Sequence, residues 1–489
     1  MERRSNSLIK LSSINNIKSN SNLKTKFKVV VKIRPAEVGT EYESDLYNNE
    51  DLTKVVVKVN EHKIKLKRPN SDDRFFMYDK ILKDSETQED TFNSVALDIT
   101  NDVTKGYNGT VLAYGQTGSG KTYTIFGIEE SLNLHIDKPV SKEAGIVPRS
   151  VKILFNYLRE SALNKDIDNK LKFKFKVSVS FFQIYMEHIT DLIPDFNKVN
   201  TYEEWENNIN SSNNYNTKKG FDFNVKNQTN NLINKAKKEI GEGLKLREDP
   251  KTGVFIQDLK KVTVENEEQL LSLIKFASKN RITTNTNMNQ SSSRSHAILR
   301  ILFEQRIYEE NNDNNVNYNN DLREEPRTSR KTLSGLLSFV DLAGSEKSKM
   351  SSDGIRFEET KYINSSLYHL GSVISSLANN SKEASFRSSI LTRILQDCLC
   401  GNSKTSICAT VSPFLMNYDE TLTTLQFANK AIRISNITCA NEKIEIKNLK
   451  SSIQKIMQES LLNTNTLNNA SLGNILQIMQ IKSKYKNIY

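Results

Sequence analysis

Gly115-Gln116-Thr117-Gly118-Ser119-Gly120-Lys121-Thr122 carries the most definite chemistry in the chain. It fits G-x-x-x-x-G-K-[ST], the pattern of a phosphate-cradling loop. Its glycines let the backbone wrap tightly and turn N–H groups towards phosphate oxygens. Lys121 has the reach to meet β- and γ-phosphates, and the Thr122 hydroxyl is placed to bind Mg2+. Two more stretches supply what such a loop needs to sense a bound triphosphate. Asp341-Leu342-Ala343-Gly344-Ser345-Glu346 puts an acid at the carboxyl end of an apolar run, where open α/β sheets bind ligands. Its Gly344 N–H can approach a γ-phosphate with no side chain in the way. Asn289-Gln290-Ser291-Ser292-Ser293-Arg294-Ser295-His296 is dense in hydroxyls suited to Mg2+ and to water, and Arg294 is a charge that can pair with an acid on the other loop. Singly, a serine-rich stretch is usually a plain loop and an Asp at a strand end is often a helix cap. In this order after a phosphate loop, they read as one site.

These residues need a scaffold. Val111-Leu112-Ala113-Tyr114 reads as a buried strand feeding the loop, with a helix beginning at the loop's end. Residues 335–340 read as a second buried strand, ending at Asp341. Residues 27–35 are β-branched and close on Pro35, a strand followed by a turn. Strand-like runs also cover 54–59, 63–67 and 74–78. Residues 84–90 hold capping side chains ahead of 92–103, whose apolar spacing predicts one helix. A polar loop spans 128–143, and a helix resumes over 148–158. Residues 174–185 and 297–307 read as strands, 245–264 as strand and turn, and 267–279 as an amphipathic helix. Strands alternating with helices around a phosphate loop predict an α/β sheet with helices on both faces.

At 489 residues the chain holds one large core with additions. Its hydrophobic share of 37% is low for a globular protein, so part of it is not packed. Residues 1–26 read as a disordered basic arm, and 197–243 and 309–330 as Asn-rich insertions. Near the end, Ile446, Leu449, Ile453 and Ile456 keep a seam for about two heptads, short of a coiled coil. The net charge, 69 − 58 = +11, suits an acidic partner surface or a solvated basic face. Cys398, Cys400, Cys408 and Cys439 form no zinc or disulfide pattern, which fits a reducing compartment. No apolar run reaches the roughly 18 residues of a membrane span, and no secretory h-region is present.

Several stretches together resemble a kinesin motor domain, over about residues 27–441. They are Lys32-Ile33-Arg34-Pro35, Gly106-Tyr107-Asn108-Gly109-Thr110 with the phosphate loop, Gly145-Ile146-Val147-Pro148-Arg149, 289–296 and 341–346. Ile363-Asn364-Ser365-Ser366-Leu367, Thr392-Arg393-Ile394-Leu395-Gln396-Asp397, and Glu420-Thr421 with Thr424-Leu425-Gln426-Phe427-Ala428 complete the set. The resemblance implies a P-loop NTPase fold on a mostly parallel sheet of the eight-stranded type. It implies an ATPase with Mg2+, stimulated by microtubules and moving along them in the cytoplasm, on the microtubule cytoskeleton or spindle. No nucleic-acid partner or membrane span is implied.

By the same resemblance, Gly115, Gln116, Thr117, Gly118, Ser119, Gly120, Lys121 and Thr122 hold the phosphates, and Lys32, Arg34, Pro35 and Tyr123 flank the adenine. Ser293 and Asp341 join Thr122 at the metal, Asp341 through water. Asn289 and Ser292 surround the lytic water, Gly344 senses the γ-phosphate, and Arg294 pairs with Glu346 to hold the two loops closed. Lys347, Lys349, Asn364, Arg387 and Arg393 match the tubulin-facing surface. This sequence departs there: Ser365 and Ile390 stand where a basic residue is usual. Weaker attachment is therefore expected. It also has Gln183 and Met186 where the family prefers Glu and Asn, in a structural strand.

Domain by domain, the expectation is a motor over 27–435, a neck linker over 436–441 ending in a latch asparagine, and a short helical or partly disordered tail over 442–489 that leaves room for a weak dimer. That layout resembles a plus-end-directed motor with its motor domain at the N-terminus. No long stalk or cargo domain is visible, so the chain either works through partners or is a piece of a longer protein. Two other readings stay open: a non-motile, nucleotide-gated microtubule-binding or end-regulating protein, and a soluble P-loop NTPase with no filament.

Overall fold

The computed structural model describes residues 23–36, 52–68, 72–132, 139–166, 171–193, 243–250, 253–283, 294–309, 330–346, 354–381 and 384–445. Asn289, Ser292, Ser293, Lys347, Lys349, nearly all of the two insertions and the seam from Ile446 onwards lie outside them.

Residues 109–114 form a strand because Thr110 and Val111 favour extended backbone and every side chain in the run is buried. This strand, β7 (Gly109–Tyr114), sits mid-sheet. In spatial order the sheet runs β12 (Val262–Val264), β8 (Leu171–Tyr185), β13 (His296–Glu309), β14 (Arg330–Asp341), β7, β15 (Lys404–Val411), β2 (Lys28–Ile33) and β6 (Lys80–Leu82). β9 (His188–Asp191) pairs with β8, and β17 (Asn441–Glu445) with β14. Among the described residues the sheet therefore has ten strands, eight of them along this path, where a sheet of the eight-stranded type was expected. From β14 through β6 each pairing is parallel, and β12 joins β8 antiparallel.

The register puts the working ends together. Asp341 lies opposite Ala113 and Ala409 opposite Tyr114, so β14, β7 and β15 all end at one edge. Each fully buried aliphatic or aromatic side chain in these strands contributes about 1.5–3 kcal/mol to holding that edge in place.

The helices are α1 (Gln88–Val95), α2 (Leu97–Val103), α3 (Lys121–Phe126), α4 (Ile146–Asp166), α5 (Glu267–Thr283), α6 (Gly354–Ala378), α7 (Ile390–Ile394), α8 (Gln396–Cys400) and α9 (Tyr418–Ala431). Thr87 and Asp90 close a capping box at the start of α1. The single helix expected over 92–103 is instead two, broken at Ala96, whose φ of −125° leaves the helical region. Gly109 lets α2 lie close on β7, since a Cβ there would meet Ile99 Cγ2 at 2.3 Å.

Three smaller sheets flank the core. β3 (Val56–Lys58), β4 (Lys63–Leu66) and β5 (Arg74–Met77) form one, and β10 (Leu246–Asp249) pairs with β11 (Gly253–Ile256). The third corrects the sequence reading. Leu23–Lys26, placed in the disordered arm, is strand β1 and pairs antiparallel with β16 (Ser435–Thr438). Four residues carry little signal alone. They become a strand because β16 offers an edge and Thr438 Oγ1 meets Thr25 Oγ1 at 2.8 Å.

The chain divides into two compact units. Residues 1–161, 175–305 and 333–441 make the first; 162–174, 306–332 and 442–489 make the second, where Lys331 Nζ meets Glu442 Oε1 at 2.9 Å. Every site residue discussed below belongs to the first.

Candidate nucleotide site

The phosphate loop leaves β7 at its carboxyl end. Gly115 takes a φ of +154°, and a Cβ there would sit 2.2 Å from Thr410 O, so only glycine fits against β15. Gly120 has open space around it but a φ of +96°, so conformation alone demands glycine before α3 begins. Ser119 braces the turn, donating to Gln116 O at 2.7 Å and meeting Thr410 Oγ1 at 2.7 Å. Thr117, Gly118 and Thr122 face solvent, while Gln116, Ser119 and Lys121 are buried.

Lys121 Nζ donates to Gly115 O at 2.9 Å and Gln116 O at 2.7 Å. Burial pushes its pKa down to about 8, against the opposing pull of Asp341 and Glu346, with Arg281 adding to the lowering. Thr122 Oγ1 donates to Asp341 Oδ2 at 2.7 Å. The other oxygen, Oδ1, is buried and accepts no hydrogen bond among the described residues. A threonine hydroxyl beside a carboxylate with a free lone pair fits Mg2+, which prefers hard oxygens and retains several waters.

Asp341 has a partner that the sequence did not suggest. Arg281, in the last turn of α5, donates from Nη1 to Asp341 Oδ2 at 2.7 Å, and both side chains are buried. Arg281 Nη2 also donates to Ser295 O at 3.0 Å. A cation in a helix's last turn was visible, but its acid lies 60 positions away.

Glu346 departs from the expected pairing with Arg294. Thr117 N donates to Glu346 Oε2 at 2.8 Å, and the Thr117 hydroxyl binds the other carboxylate oxygen. Thr117 offers two adjacent donors, a ready two-point seat for a carboxylate. Gly344 lies directly beneath: a Cβ there would meet Glu346 Oε2 and Thr117 Oγ1, each at 2.3 Å. Ser345 N donates to Gly115 O at 3.1 Å, lacing this segment to the phosphate loop.

On the side expected to hold a base, Tyr123 exposes its ring and Lys32 lies behind it, 7% exposed and 5.5 Å from the ring centroid. Lys32 Nζ donates to Gln88 Oε1 at 3.0 Å, and Gln88 Nε2 donates to Tyr123 O at 2.7 Å. Gln88, missed in the sequence, therefore ties the two together. Burial lowers the Lys32 pKa and raises that of Tyr123 to about 12, where the Tyr123 hydroxyl is bound by Glu143. Arg34 Nη1 donates to Gly118 O at 2.9 Å, and Pro35 follows it at the end of β2.

Away from this edge, Arg387 and Arg393 both reach Glu248 Oε2 on β10, at 3.3 and 3.2 Å. Asn364 and Ser365 are half-buried on α6. Ile390 packs on the hydrophobic core, and its N–H donates to Glu187 Oε2 at 2.7 Å. Asn441 is held tightly. Its Nδ2 donates to Asn108 Oδ1 at 2.8 Å, Ser334 O at 2.9 Å and Gly106 O at 3.1 Å, and its N–H donates to Gly106 O at 2.8 Å.

A phosphate loop on the central parallel strand, with an acid delivered to it by the neighbouring strand, makes this a P-loop nucleotide-binding protein of the α/β class. Comparison with known proteins narrows the class. The family model for the kinesin motor domain matches residues 32–434, and the chain belongs to that family. It is 33% identical over 423 residues to kinesin-like protein klp-20 of Caenorhabditis elegans, covering 85% of this chain and 52% of that one. It is 33% identical over 393 residues to human kinesin-1 heavy chain, covering 80% and 32% respectively. This chain therefore spans about half or less of the length of these relatives. A solved structure of a fast kinesin superposes with a TM-score of 0.61 at 30% identity, covering 86% of this chain and 94% of that one. A KIF14 dimer bound with AMP-PNP to a microtubule superposes at 0.64 and 27% identity, covering 88% and 100%.

Proposed function

We propose that this chain hydrolyses ATP, is stimulated by microtubules, and turns hydrolysis into plus-end-directed movement along them on the microtubule cytoskeleton of the cytoplasm. The observation that carries the reading is the Thr122–Asp341 contact, where two strand ends and the phosphate loop converge on a buried carboxylate with one oxygen unengaged among the described residues.

In this reading residues 115–122 hold the phosphates, and Lys32, Arg34, Pro35 and Tyr123 flank the base. Thr122, Ser293 and Asp341 serve the Mg2+, which when bound neutralises phosphate charge. Asn289 and Ser292 position the attacking water, and the Gly344 N–H faces the γ-phosphate. A γ-phosphate and the Glu346 carboxylate compete for the Thr117 N–H, and like charge drives Glu346 off it. Arg294 then receives Glu346, closing the two loops around the water. Lys347, Lys349, Asn364, Arg387 and Arg393 form the filament face. Residues 436–441 act as a neck linker whose docked state is held by Asn441, which supports plus-end direction.

The test is a gliding assay on polarity-marked microtubules, with steady-state ATPase measured alongside. Microtubules moving with their minus ends leading, and an ATPase raised by filaments, are expected of a surface-bound plus-end motor. An ATPase indifferent to microtubules would overturn the reading. The second reading, a non-motile nucleotide-gated binder, is favoured by one observation: Glu248 already occupies Arg387 and Arg393. Stimulated hydrolysis without gliding would select it.

A further inference from the structure

His296 opens β13 and is 2% exposed. Its Nδ1 accepts the N–H of Ala343 at 3.0 Å, and its Nε2 lies 2.9 Å from Ser366 Oγ. A backbone N–H can only donate, so Nδ1 carries the lone pair and the ring proton sits on Nε2, donated to Ser366. Burial, with Arg281 and Lys121 nearby, lowers its pKa to about 3, so the ring stays neutral.

Both partners matter by position. Ala343 immediately precedes Gly344, in the segment laced to the phosphate loop. Ser366 is buried in α6, whose exposed side carries Tyr368. The imidazole ring fixes the separation of its two nitrogens, and with two torsions it can absorb less of a shift of Ala343 than a lysine or glutamine could. A buried histidine with both nitrogens bonded is more often a plain core residue. Here the two bonds go to different elements, one of them next to the glycine proposed to meet phosphate.

We infer that His296 is a positioning residue, a strut that transmits displacement of the Ala343–Gly344 segment to α6 through Ser366. This rests on the nucleotide reading above. The strut couples the nucleotide edge to a helix through space, independently of the chain between Glu346 and Gly354.

Hydrogen exchange on the full chain tests it, comparing ADP with a non-hydrolysable ATP analogue and no filament. In the wild type, amides of 115–122 and of α6 both change protection between the two nucleotides. In Ser366→Ala the phosphate loop still responds, while the α6 response falls about fivefold or more, the scale of one lost hydrogen bond. His296→Asn, which keeps an acceptor for Ala343 N–H but falls short of Ser366, gives the same loss, and Ser366→Thr restores the response. An α6 response equal to wild type in both Ser366→Ala and His296→Asn overturns the strut. So does a loss that Ser366→Thr leaves unrestored, since Ser366 would then be a packing residue. A wild-type phosphate loop indifferent to nucleotide refutes the nucleotide reading itself, and the strut with it.

Discussion

At the scale of single residues, the site is governed by where charge is buried. Lys121, with its pKa lowered to about 8, is partly neutral in the free protein at mildly alkaline pH. Nucleotide phosphate favours the ammonium and raises that pKa, so binding takes up a proton in this range. Calorimetry in two buffers of different ionisation heat should show an apparent enthalpy gap that widens between about pH 7 and about pH 9, towards one proton. A gap that stays flat would mean Lys121 is already fully charged in the free site. The same titration acts on stability. The folded pKa lies below the unfolded 10.5, so the unfolded chain binds more protons between the two, and this group makes stability rise with pH across that window. Asp341→Asn would take the Asp341 charge away from the buried Arg281. We expect a loss of about 3 kcal/mol in denaturant titration, with ATPase falling about a hundredfold. Unchanged stability would show that the remaining contacts of Arg281, the one to Ser295 O among them, suffice to hold it.

At the scale of elements, legibility followed distance along the chain. The phosphate loop, its strand and the Asp341 segment were readable because each is a contiguous pattern whose chemistry is local. The Arg281–Asp341 pair was not, since nothing in an amphipathic helix marks which distant acid its last arginine will meet. Nor was β1, whose four residues acquire strand geometry only from β16. The break at Ala96 carried no glycine or proline to announce it. Glu346 was readable as a partner-seeking acid, but its seat on Thr117 depends on how closely Gly344 lets two loops approach. Within this layer Asn441 is the fixed point of the segment after α9. Asn441→Ala removes its side-chain bonds while leaving residues 115–122 untouched. Gliding velocity is expected to fall severalfold with nucleotide affinity unchanged. Equal loss of both would place Asn441 in general stability instead.

At the scale of the whole molecule, the basic excess of +11 suits an acidic filament, yet two of the arginines expected to face it are held by Glu248. Each of these exposed pairs contributes little to stability. On the proposed filament face their effect is on availability: an acidic filament would compete with an internal carboxylate. Glu248→Gln should tighten microtubule binding up to about fivefold at low salt, with the gain vanishing as salt rises. Cosedimentation across a salt series measures this, and unchanged affinity at low salt would remove Glu248 from the account. Ser365→Lys is the cleaner way to restore charge than Ile390→Lys, because Ile390 is packed on the core.

The segment that joins β16 to Asn441 has a further consequence. Thr438 is fixed by its place opposite Leu23, Cys439 N donates to Asn402 Oδ1 at 2.8 Å, and Asn402 Nδ2 donates to Asn441 Oδ1 at 3.1 Å. Both ends of this short stretch are pinned, and one asparagine gauges the interval between them. Residues 438–441 therefore work as a ruler cut to one length. Inserting a single residue there would let the chain keep the β1 ladder or the Asn441 anchor, and force it to give up the other.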